Sequence, residues 1–253
     1  MIDVHCHLEH DSLKNDIENV IKKCKEEVKA LVTSSPHPKD FEYSIFLAEK
    51  FFGYVYVCLG LHPEYIEDID EKVIEDFKSF VEKNKDRICG IGEIGLDYFW
   101  IKDEKLRNRQ KELFIECIEF SKKLNKPIVV HIREAYEDAL KILEESGYQK
   151  VLLHMFGGDK FLDKILSNEW KISVGPIVSR SKVHKKIVKR IPLERIMLET
   201  DSPWMKIDGR PSFPTDVKFV AAKIAEIKKI DINEIENVTD NNAKEFFGLK
   251  IIQ

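Results

Sequence analysis

Histidines and carboxylates stand at the ends of several short apolar segments of the sequence. The first segment leads into His5 and His7, and later segments end in Glu93, His131 and His154. Imidazole and carboxylate groups are the side chains that bind zinc and similar divalent cations. His10, His37 and His184 stand outside this pattern. Core packing alone does not explain why most of the histidines stand at the ends of apolar segments. Their distribution therefore predicts a metal site.

Three further residues are candidates with a rival structural explanation. Asp201 is the sixth candidate metal ligand, but an acid before Ser-Pro also caps a turn. His62, in the segment GLHP, is predicted to contact the substrate, although it is also a reasonable turn residue before a proline. Arg133 offers a planar donor fork to a substrate phosphate, or it is a solvated residue at the start of a helix.

Two local patterns favour the functional interpretation. Side chains two positions apart on a strand point the same way, so His5 and His7 both face one side while Cys6 faces the other. Glu93 ends the apolar segment GIGE. A charged carboxylate there would be buried, and a buried charge needs a partner or a metal ion.

The residues that could do chemistry require elements that bring them together. Apolar runs rich in β-branched residues alternate with amphipathic stretches and predict eight strands, at 2–5, 28–33, 54–59, 88–93, 128–131, 151–154, 171–174 and 195–199. Such alternation predicts parallel strands joined by helices. We expect an α/β fold, a (β/α)8 TIM barrel in a single domain over 1–253, whose C-terminal strand ends meet at one face. An open doubly wound sheet is the alternative. An irregular loop is expected at 203–215, with helix from 216.

Composition narrows the classes of function. The chain has 41 Lys+Arg against 45 Asp+Glu and a net charge of -4, which argues against coating of nucleic acid by bulk electrostatics but leaves a local site possible. The 5 cysteines are scattered without C-x-x-C spacing and are expected to be reduced. No signal peptide or membrane segment is visible, and nothing points to an obligate protein partner. We therefore expect a cytoplasmic protein that binds no membrane.

Other catalytic patterns are missing from the sequence. There is no G-x-S-x-G nucleophile elbow and no G-x-x-x-x-G-K-[ST] phosphate loop. The glycines of GIGEIG continue a strand instead of opening a helix, so a dinucleotide site is not indicated.

At these residues the sequence resembles the TatD family of metal-dependent hydrolases, within the amidohydrolase-like superfamily. The matching segments run in order along almost the whole chain: DVHCHL at 3–8, GLHPEY at 60–65, GEIGLDYFW at 92–100, VVHIRE at 129–134, HMFGG at 154–158, SVGPIV at 173–178 and ETDSPW at 199–204. Two stretches depart from the family: M-F-G-G replaces C-F-S-G after His154, and N-N-A-K-E-F-F at 241–247 replaces an Asn-plus-Arg motif.

The resemblance implies two divalent metal ions (Mg, Mn or Zn) and a nucleic acid (DNA) substrate, as in deoxyribonuclease-type members. One cation would bind His5, His7, Glu93 and Asp201. The other would bind His131, His154 and Glu93, which would bridge the two. We expect two cations to clamp a phosphoryl oxygen and activate water, with Glu93 and Asp201 as catalytic residues and Asp201 accepting the proton of the attacking water.

Three functions remain open from the sequence. The first is a TatD-like deoxyribonuclease or phosphodiesterase, favoured because two carboxylates leave two cations with net positive charge for an anionic substrate. The second is an amidohydrolase that cleaves a C–N or ester bond, including the aminoacyl ester of tRNA. The third is a metal-binding scaffold without catalysis. Aromatic residues at 98–100 either stack on a base or plug the rim of the barrel.

Overall fold

Eight parallel strands lie at the centre of the structure, a computed structural model that describes residues 1–252. The strands are β1 (Ile2–Cys6), β2 (Ala30–Ser35), β3 (Val55–Leu59), β4 (Gly90–Asp97), β5 (Ile128–Arg133), β6 (Val151–Leu153), β7 (Lys171–Val174) and β8 (Ile196–Leu198). They are hydrogen-bonded in sequence order, and every neighbouring pair is parallel. The predicted (β/α)8 barrel is confirmed.

The sheet closes just beyond the end of β8. Cys6 forms a parallel bridge with Ser202. The backbone N–H of Asp201 donates to the His5 carbonyl at 2.9 Å, and the N–H of His7 donates to the Ser202 carbonyl at 2.8 Å. The first strand is thereby fastened to the segment that carries Asp201.

Helices connect the strands and cover the barrel. They are α1 (Asp11–Lys14), α2 (Ile17–Lys25), α3 (Phe41–Lys50), α4 (Glu71–Lys83), α5 (Glu104–Leu124), α6 (Tyr136–Ser146), α7 (Leu162–Ser167), α8 (Lys182–Arg190), α9 (Val217–Lys228) and α10 (Ile232–Phe247). Their boundaries follow local chemistry: α5, for example, begins where the Asp103 side chain accepts from the Leu106 N–H and ends at Asn125 in the left-handed conformation. Within residues 1–252, no helix is both long and apolar enough to cross a membrane.

Two apolar clusters show which way the strand side chains point. The larger cluster joins the strands to the surrounding helices. The smaller cluster contains side chains from most of the strands and also Ala243 and Phe247 of α10. Side chains from so many strands can meet only inside the barrel, so α10 closes its lower end, where the strands begin.

An extra residue in β1 reverses the alternation of its side chains. Asp3 pairs with Leu31 but Cys6 pairs with Thr33, so three steps along β1 match two along β2. Before this bulge, Ile2 and Val4 belong to the interior cluster. After it, Cys6 belongs to the outer cluster, and His5 and His7 face inward.

β4 contains a second bulge, and it differs from the predicted strand. Ile91 pairs with Ile128 and Ile94 with Val130, again three steps against two. The prediction ended this strand at Glu93, but β4 continues to Asp97. Gly95 permits the continuation, since a Cβ there would lie 2.0 Å from the His131 carbonyl oxygen and its φ is +142°. Glu93 therefore lies within the strand and not at its end.

The other differences are small. β2 begins two residues later than the predicted 28–33. The expected loop at 203–215 holds a short antiparallel hairpin, β9 (Lys206–Ile207) and β10 (Arg210–Pro211). The helix expected from residue 216 begins with α9. All cysteines are free and buried, as the sequence predicts.

Candidate metal centre

The predicted ligands converge at the C-terminal ends of the strands. We call the following group the Glu93 cluster: His5, His7, His62, Glu93, His131, His154 and Asp201. All of its members except the fully buried His5 line a pocket of about 330 Å³, which is also lined by Trp100, Arg133 and Trp204. Residues almost 200 positions apart in the sequence thus reach one place, because strand ends meet at one face of a barrel.

Glu93 lies at the middle of the cluster and divides it in two. Its Oε1 is 3.4 Å from His5 Nε2 and 3.6 Å from His7 Nε2. Its Oε2 is 3.6 Å from His154 Nε2 and 3.8 Å from His131 Nδ1. The two carboxylate oxygens therefore face different imidazoles, and Oε2 also lies 3.8 Å from His62 Nε2.

Asp201 belongs to the side of His5 and His7. Its Oδ1 lies 3.3 Å from His7 Nε2 and 3.7 Å from His5 Nε2. The residue has a left-handed backbone with φ of 50°, which is uncommon for a residue with a Cβ and occurs often at functional sites. The hydrogen bond from its N–H to His5 holds it in that conformation.

Four histidines use their second ring nitrogen to bind an outer partner. His7 Nδ1 is 2.9 Å from Glu9, and His131 Nε2 is 2.9 Å from Asp97. His154 Nδ1 is 3.1 Å from Glu199, and His5 Nδ1 is 3.2 Å from Ser34. Where the partner is a carboxylate, that nitrogen carries a proton, which leaves the nitrogen on the Glu93 side to bind a cation, as in metal sites with oriented histidines.

The sequence analysis did not assign Glu9, Asp97 and Glu199. All are buried, and each binds a histidine of the Glu93 cluster. Their positions carry a signal that could have found them: Glu9 lies two residues after His7, Asp97 lies within the GEIGLDY segment, and Glu199 lies two residues before Asp201. A buried acid next to a metal-binding motif is a natural partner for its histidine.

His62 differs from these histidines because its second ring nitrogen accepts a hydrogen bond from the backbone. Its Nδ1 accepts the backbone N–H of Glu64 at 3.2 Å, so that nitrogen carries no proton. Burial, and after it the neighbouring His131, lowers the pKa of His62 to about 3. A neutral His62 then has its proton on Nε2, which lies 3.8 Å from Glu93 Oε2. It faces the pocket as a hydrogen-bond donor.

The charges of the cluster follow from its contacts. Burial raises the pKa of Glu93, but the surrounding histidines, His5 first, outweigh it and hold the pKa well below its usual range. Burial is likewise outweighed at Asp201, whose pKa is lowered by its contact with His7. Burial lowers the pKa of His154, yet Glu199 outweighs it and the pKa rises to about 9. Both pocket carboxylates are therefore anionic at neutral pH.

The donor set fits divalent cations. His5 Nε2 is fully buried and has no hydrogen-bond partner, which is costly for a polar atom unless a ligand satisfies it. Two donors bound about 2.1 Å from one ion stand roughly 3–3.5 Å apart, close to the separations around Glu93. His5, His7 and Glu93 fit one cation, and His62, Glu93 and His131 also have donor atoms within 4.8 Å of one another. Because of the tautomer of His62, we consider His154 the better partner of His131 on that side.

Arg133 and the aromatic residues lie at the rim. The Arg133 guanidinium stacks 3.7 Å from the Phe99 ring and 5.5 Å from the Trp100 ring. Tyr98 turns away from the pocket and donates its hydroxyl to Asp138 at 2.7 Å. Trp100 is largely exposed, so it does not plug the rim.

The two stretches that depart from the family pattern lie at opposite ends of the barrel. The stretch after His154 follows β6 at the pocket end. Asn242 is buried on α10, and its Nδ2 donates to the carbonyls of Leu193 and Ile196 at 2.9 and 2.7 Å. It fastens α10 to the start of β8, away from the pocket.

Known proteins resemble the chain in sequence and in fold. Residues 2–248 match the family model described as TatD related DNase. A Methanocaldococcus jannaschii protein described as uncharacterized metal-dependent hydrolase MJ1582 is 35% identical over 252 residues, 99% of this chain and 98% of its own. Human deoxyribonuclease TATDN3 is 33% identical over 259 residues, 98% of this chain and 94% of its own. The crystal structure of YJJV, a TatD homologue from Escherichia coli, has a TM-score of 0.91 at 25% identity and covers 98% of each chain.

Proposed function

Because the chain belongs to the TatD family of metal-dependent hydrolases, we propose that it hydrolyses phosphodiester bonds of DNA, with two divalent cations held by the Glu93 cluster. His5, His7, Glu93 and Asp201 would hold one cation, and His131, His154 and Glu93 would hold the other. Magnesium, manganese or zinc suits this mixture of imidazole and carboxylate. The name of the human relative as a deoxyribonuclease supports the choice of substrate.

The observation that carries this proposal is that the two carboxylate oxygens of Glu93 face different histidines. One oxygen faces His5 and His7, and the other faces His131 and His154. A carboxylate with separate ligand groups on its two oxygens is suited to bridge two cations. A site for one cation would not need ligands on both sides of the same carboxylate.

Individual residues of the chain have separate roles in the proposed reaction. Bound divalent cations supply Lewis acidity, polarising a phosphoryl oxygen and lowering the pKa of water. The Asp201 carboxylate is ionised and lies at the pocket, where it accepts the proton of the attacking water. His62 donates from Nε2 to a phosphate oxygen. Arg133, fixed by stacking on Phe99, places a positive charge at the rim for the anionic substrate.

The test is a cleavage assay of the purified protein after chelation and reloading with manganese, magnesium or zinc. Single-stranded DNA, duplex DNA, RNA, a simple phosphodiester, an aminoacyl ester and an amide are compared. We expect cation-dependent cleavage of DNA and of the simple phosphodiester. Hydrolysis of the aminoacyl ester or amide without any phosphodiester cleavage would replace the proposal with the amidohydrolase function.

Two variants make the assay specific to the site. Glu93→Gln keeps the shape of the side chain and removes its charge, so it should abolish turnover and leave the barrel folded. Glu112→Gln changes an exposed acid on α5 in the same way and should behave as the unmodified protein. Metal analysis of both should find two cations per chain in the control and fewer in Glu93→Gln.

A further inference from the structure

We propose that Trp100 and Trp204 stack on two nucleobases of a single-stranded DNA substrate, one on each side of the phosphate that is cleaved. The inference rests on the proposed function and adds to it the form of the substrate. It assigns a role in substrate specificity to two residues outside the Glu93 cluster.

The exposure of the tryptophans separates these two from the third. The chain has 3 tryptophans. Trp170 is 1% exposed, and its indole N–H donates to the Tyr148 carbonyl at 2.9 Å. Trp100 and Trp204 are 57% and 61% exposed, and both line the pocket that contains the Glu93 cluster. Large aromatic faces left in water at the mouth of a site indicate contact with a ligand.

The two indoles lie on different sides of the cluster. The Trp204 ring centroid is 6.4 Å from that of His7. Trp100 is beside Arg133, two residues after His131 on β5. His7 and His131 face opposite oxygens of Glu93, so one indole flanks each half of the cluster. A phosphate bound by cations of the Glu93 cluster would have a nucleoside on each side, within reach of one indole.

Hydrogen bonds attach both tryptophans to the cluster. The backbone N–H of Trp100 donates to Asp97 Oδ1 at 2.9 Å, while Asp97 Oδ2 binds His131. The backbone N–H of Trp204 donates to the Asp201 carbonyl at 2.9 Å. The backbone of each tryptophan is therefore held beside the metal ligands, which keeps both indoles near a substrate bound there.

The charge of the protein favours single strands. With a net charge of -4, the chain lacks the general positive charge that holds a duplex through its phosphates. Base stacking supplies affinity without that charge, and it is open only to bases that are not already stacked in a duplex. Arg133 adds a local cation where Trp100 would receive its base.

The experiment compares two oligodeoxynucleotides in the cation-loaded protein. One is ordinary single-stranded DNA, and the other lacks the bases on both sides of one phosphate. We expect Trp100→Ala and Trp204→Ala each to raise KM for the ordinary strand by about 5- to 150-fold, the range measured for loss of one base stack. Trp→Phe at either position should restore most of the affinity, because a flat ring remains.

The matched control is Phe52→Ala. Phe52 is an exposed aromatic residue just before β3, at the opposite end of the barrel, and its loss should not change KM. The unmodified protein should prefer the ordinary strand over the abasic one, and the double Trp→Ala variant should lose that preference. The inference would be overturned by an unchanged KM in both single variants. It would also be overturned if the double variant preferred the ordinary strand as strongly as the unmodified protein does.

Tryptophan fluorescence provides a measurement that does not depend on cleavage. Addition of single-stranded DNA to the chelated protein should quench emission from the exposed indoles, and Trp100→Ala and Trp204→Ala should each reduce the quenching. If no DNA is cleaved, the proposed function fails, and the quenching alone decides this inference. If single-stranded DNA then neither quenched the emission nor bound to the protein, the stacking role would be refuted as well.

Discussion

The Thr200 hydroxyl donates a hydrogen bond to the Asp3 carboxylate at 2.5 Å, and the Thr200 backbone N–H donates to the other carboxylate oxygen at 3.0 Å. Both residues are fully buried. The pair joins β1 to the segment after β8, between Glu199, which binds His154, and Asp201. We therefore expect this buried contact to help position Asp201, a candidate metal ligand.

We expect Thr200→Val to weaken both folding and cation binding. The change keeps the shape of the side chain and leaves a buried Asp3 oxygen without its donor, at a cost of about 1–3 kcal/mol in the free energy of unfolding. Urea unfolding measures the first effect, and calorimetric titration with manganese measures the second.

Thr239→Val is the control for that experiment. Thr239 is also buried, but its hydroxyl donates to the Ile235 carbonyl within α10. Its loss should change stability without changing cation affinity. Equal cation affinity in Thr200→Val and the unmodified protein would show that the Asp3 contact does not position Asp201.

Asp97→Asn is predicted to reduce cation affinity by about 10- to 100-fold, the usual effect of removing the acid that orients a metal-binding histidine. Asp97 binds His131 through one oxygen and the N–H groups of Phe99 and Trp100 through the other. The variant should therefore also raise KM for single-stranded DNA. Asp138→Asn, which removes a carboxylate bound to Tyr98 outside the pocket, should leave cation affinity unchanged.

Gly95→Ala should be severely destabilising. The new Cβ would lie 2.0 Å from the His131 carbonyl oxygen, and the φ of +142° is strained for any residue with a side chain. We expect a loss of about 2–4 kcal/mol in the free energy of unfolding.

Gly147→Ala separates the clash at Gly95 from the conformational effect. Gly147 follows α6 with φ of +66°, and no atom lies within 4 Å of a Cβ built there. The cost should be limited to about 1 kcal/mol, that of a left-handed alanine. Similar losses in the two variants, measured in guanidinium, would mean that β4 moves to accommodate the methyl group.

Glu236 makes a contribution to stability that depends on pH. It accepts from the Met1 amine at 2.8 Å and lies 2.9 Å from Lys29 Nζ. Its contact with the amine lowers its pKa to about 2, against an ordinary value of 4.5. Because the folded pKa is the lower one, this contribution is present above pH 4.5 and is lost as the pH falls towards about 2.

Glu236→Gln should therefore lower Tm at pH 7 by no more than about 4 °C, since a partly exposed ion pair contributes at most about 1 kcal/mol. The difference from the unmodified protein should shrink at pH 3.5. Glu234→Gln, an exposed acid on the same helix, is the control. A difference that grows on acidification would contradict the assigned ion pair.

The alternation of strands and helices predicted the barrel because the spacing of apolar residues and the content of β-branched residues are local properties of the sequence. The approximate place of Glu93 followed from its motif, but the end of β4 did not. Glycines at 90, 92 and 95 resemble a strand end in sequence. In the structure they instead permit close approach to neighbouring strands, which depends on residues distant in the sequence.

The roles of individual residues within the site were harder to predict from the sequence. The sequence placed His62 among the strand-end histidines, yet only the hydrogen bond from Glu64 reveals its tautomer. Similarly, Phe99 and Trp100 are adjacent aromatic residues, and nothing local predicts that Arg133 covers the first while the second is left in solvent. Such assignments depend on side-chain contacts across strands, which no spacing encodes.

The extra residue in β1 has a consequence for how the first strand tolerates changes in length. Replacing Val4 by another apolar residue keeps the frame in which His5 and His7 face the pocket. Deleting it would remove the extra residue, so that His5 would lie opposite Val32 while Cys6 stayed opposite Thr33. Regular alternation from Ile2 would then keep His5 and His7 facing inward and Cys6 facing the helices. The first strand should therefore lose one residue at the bulge without turning its histidines away from the pocket.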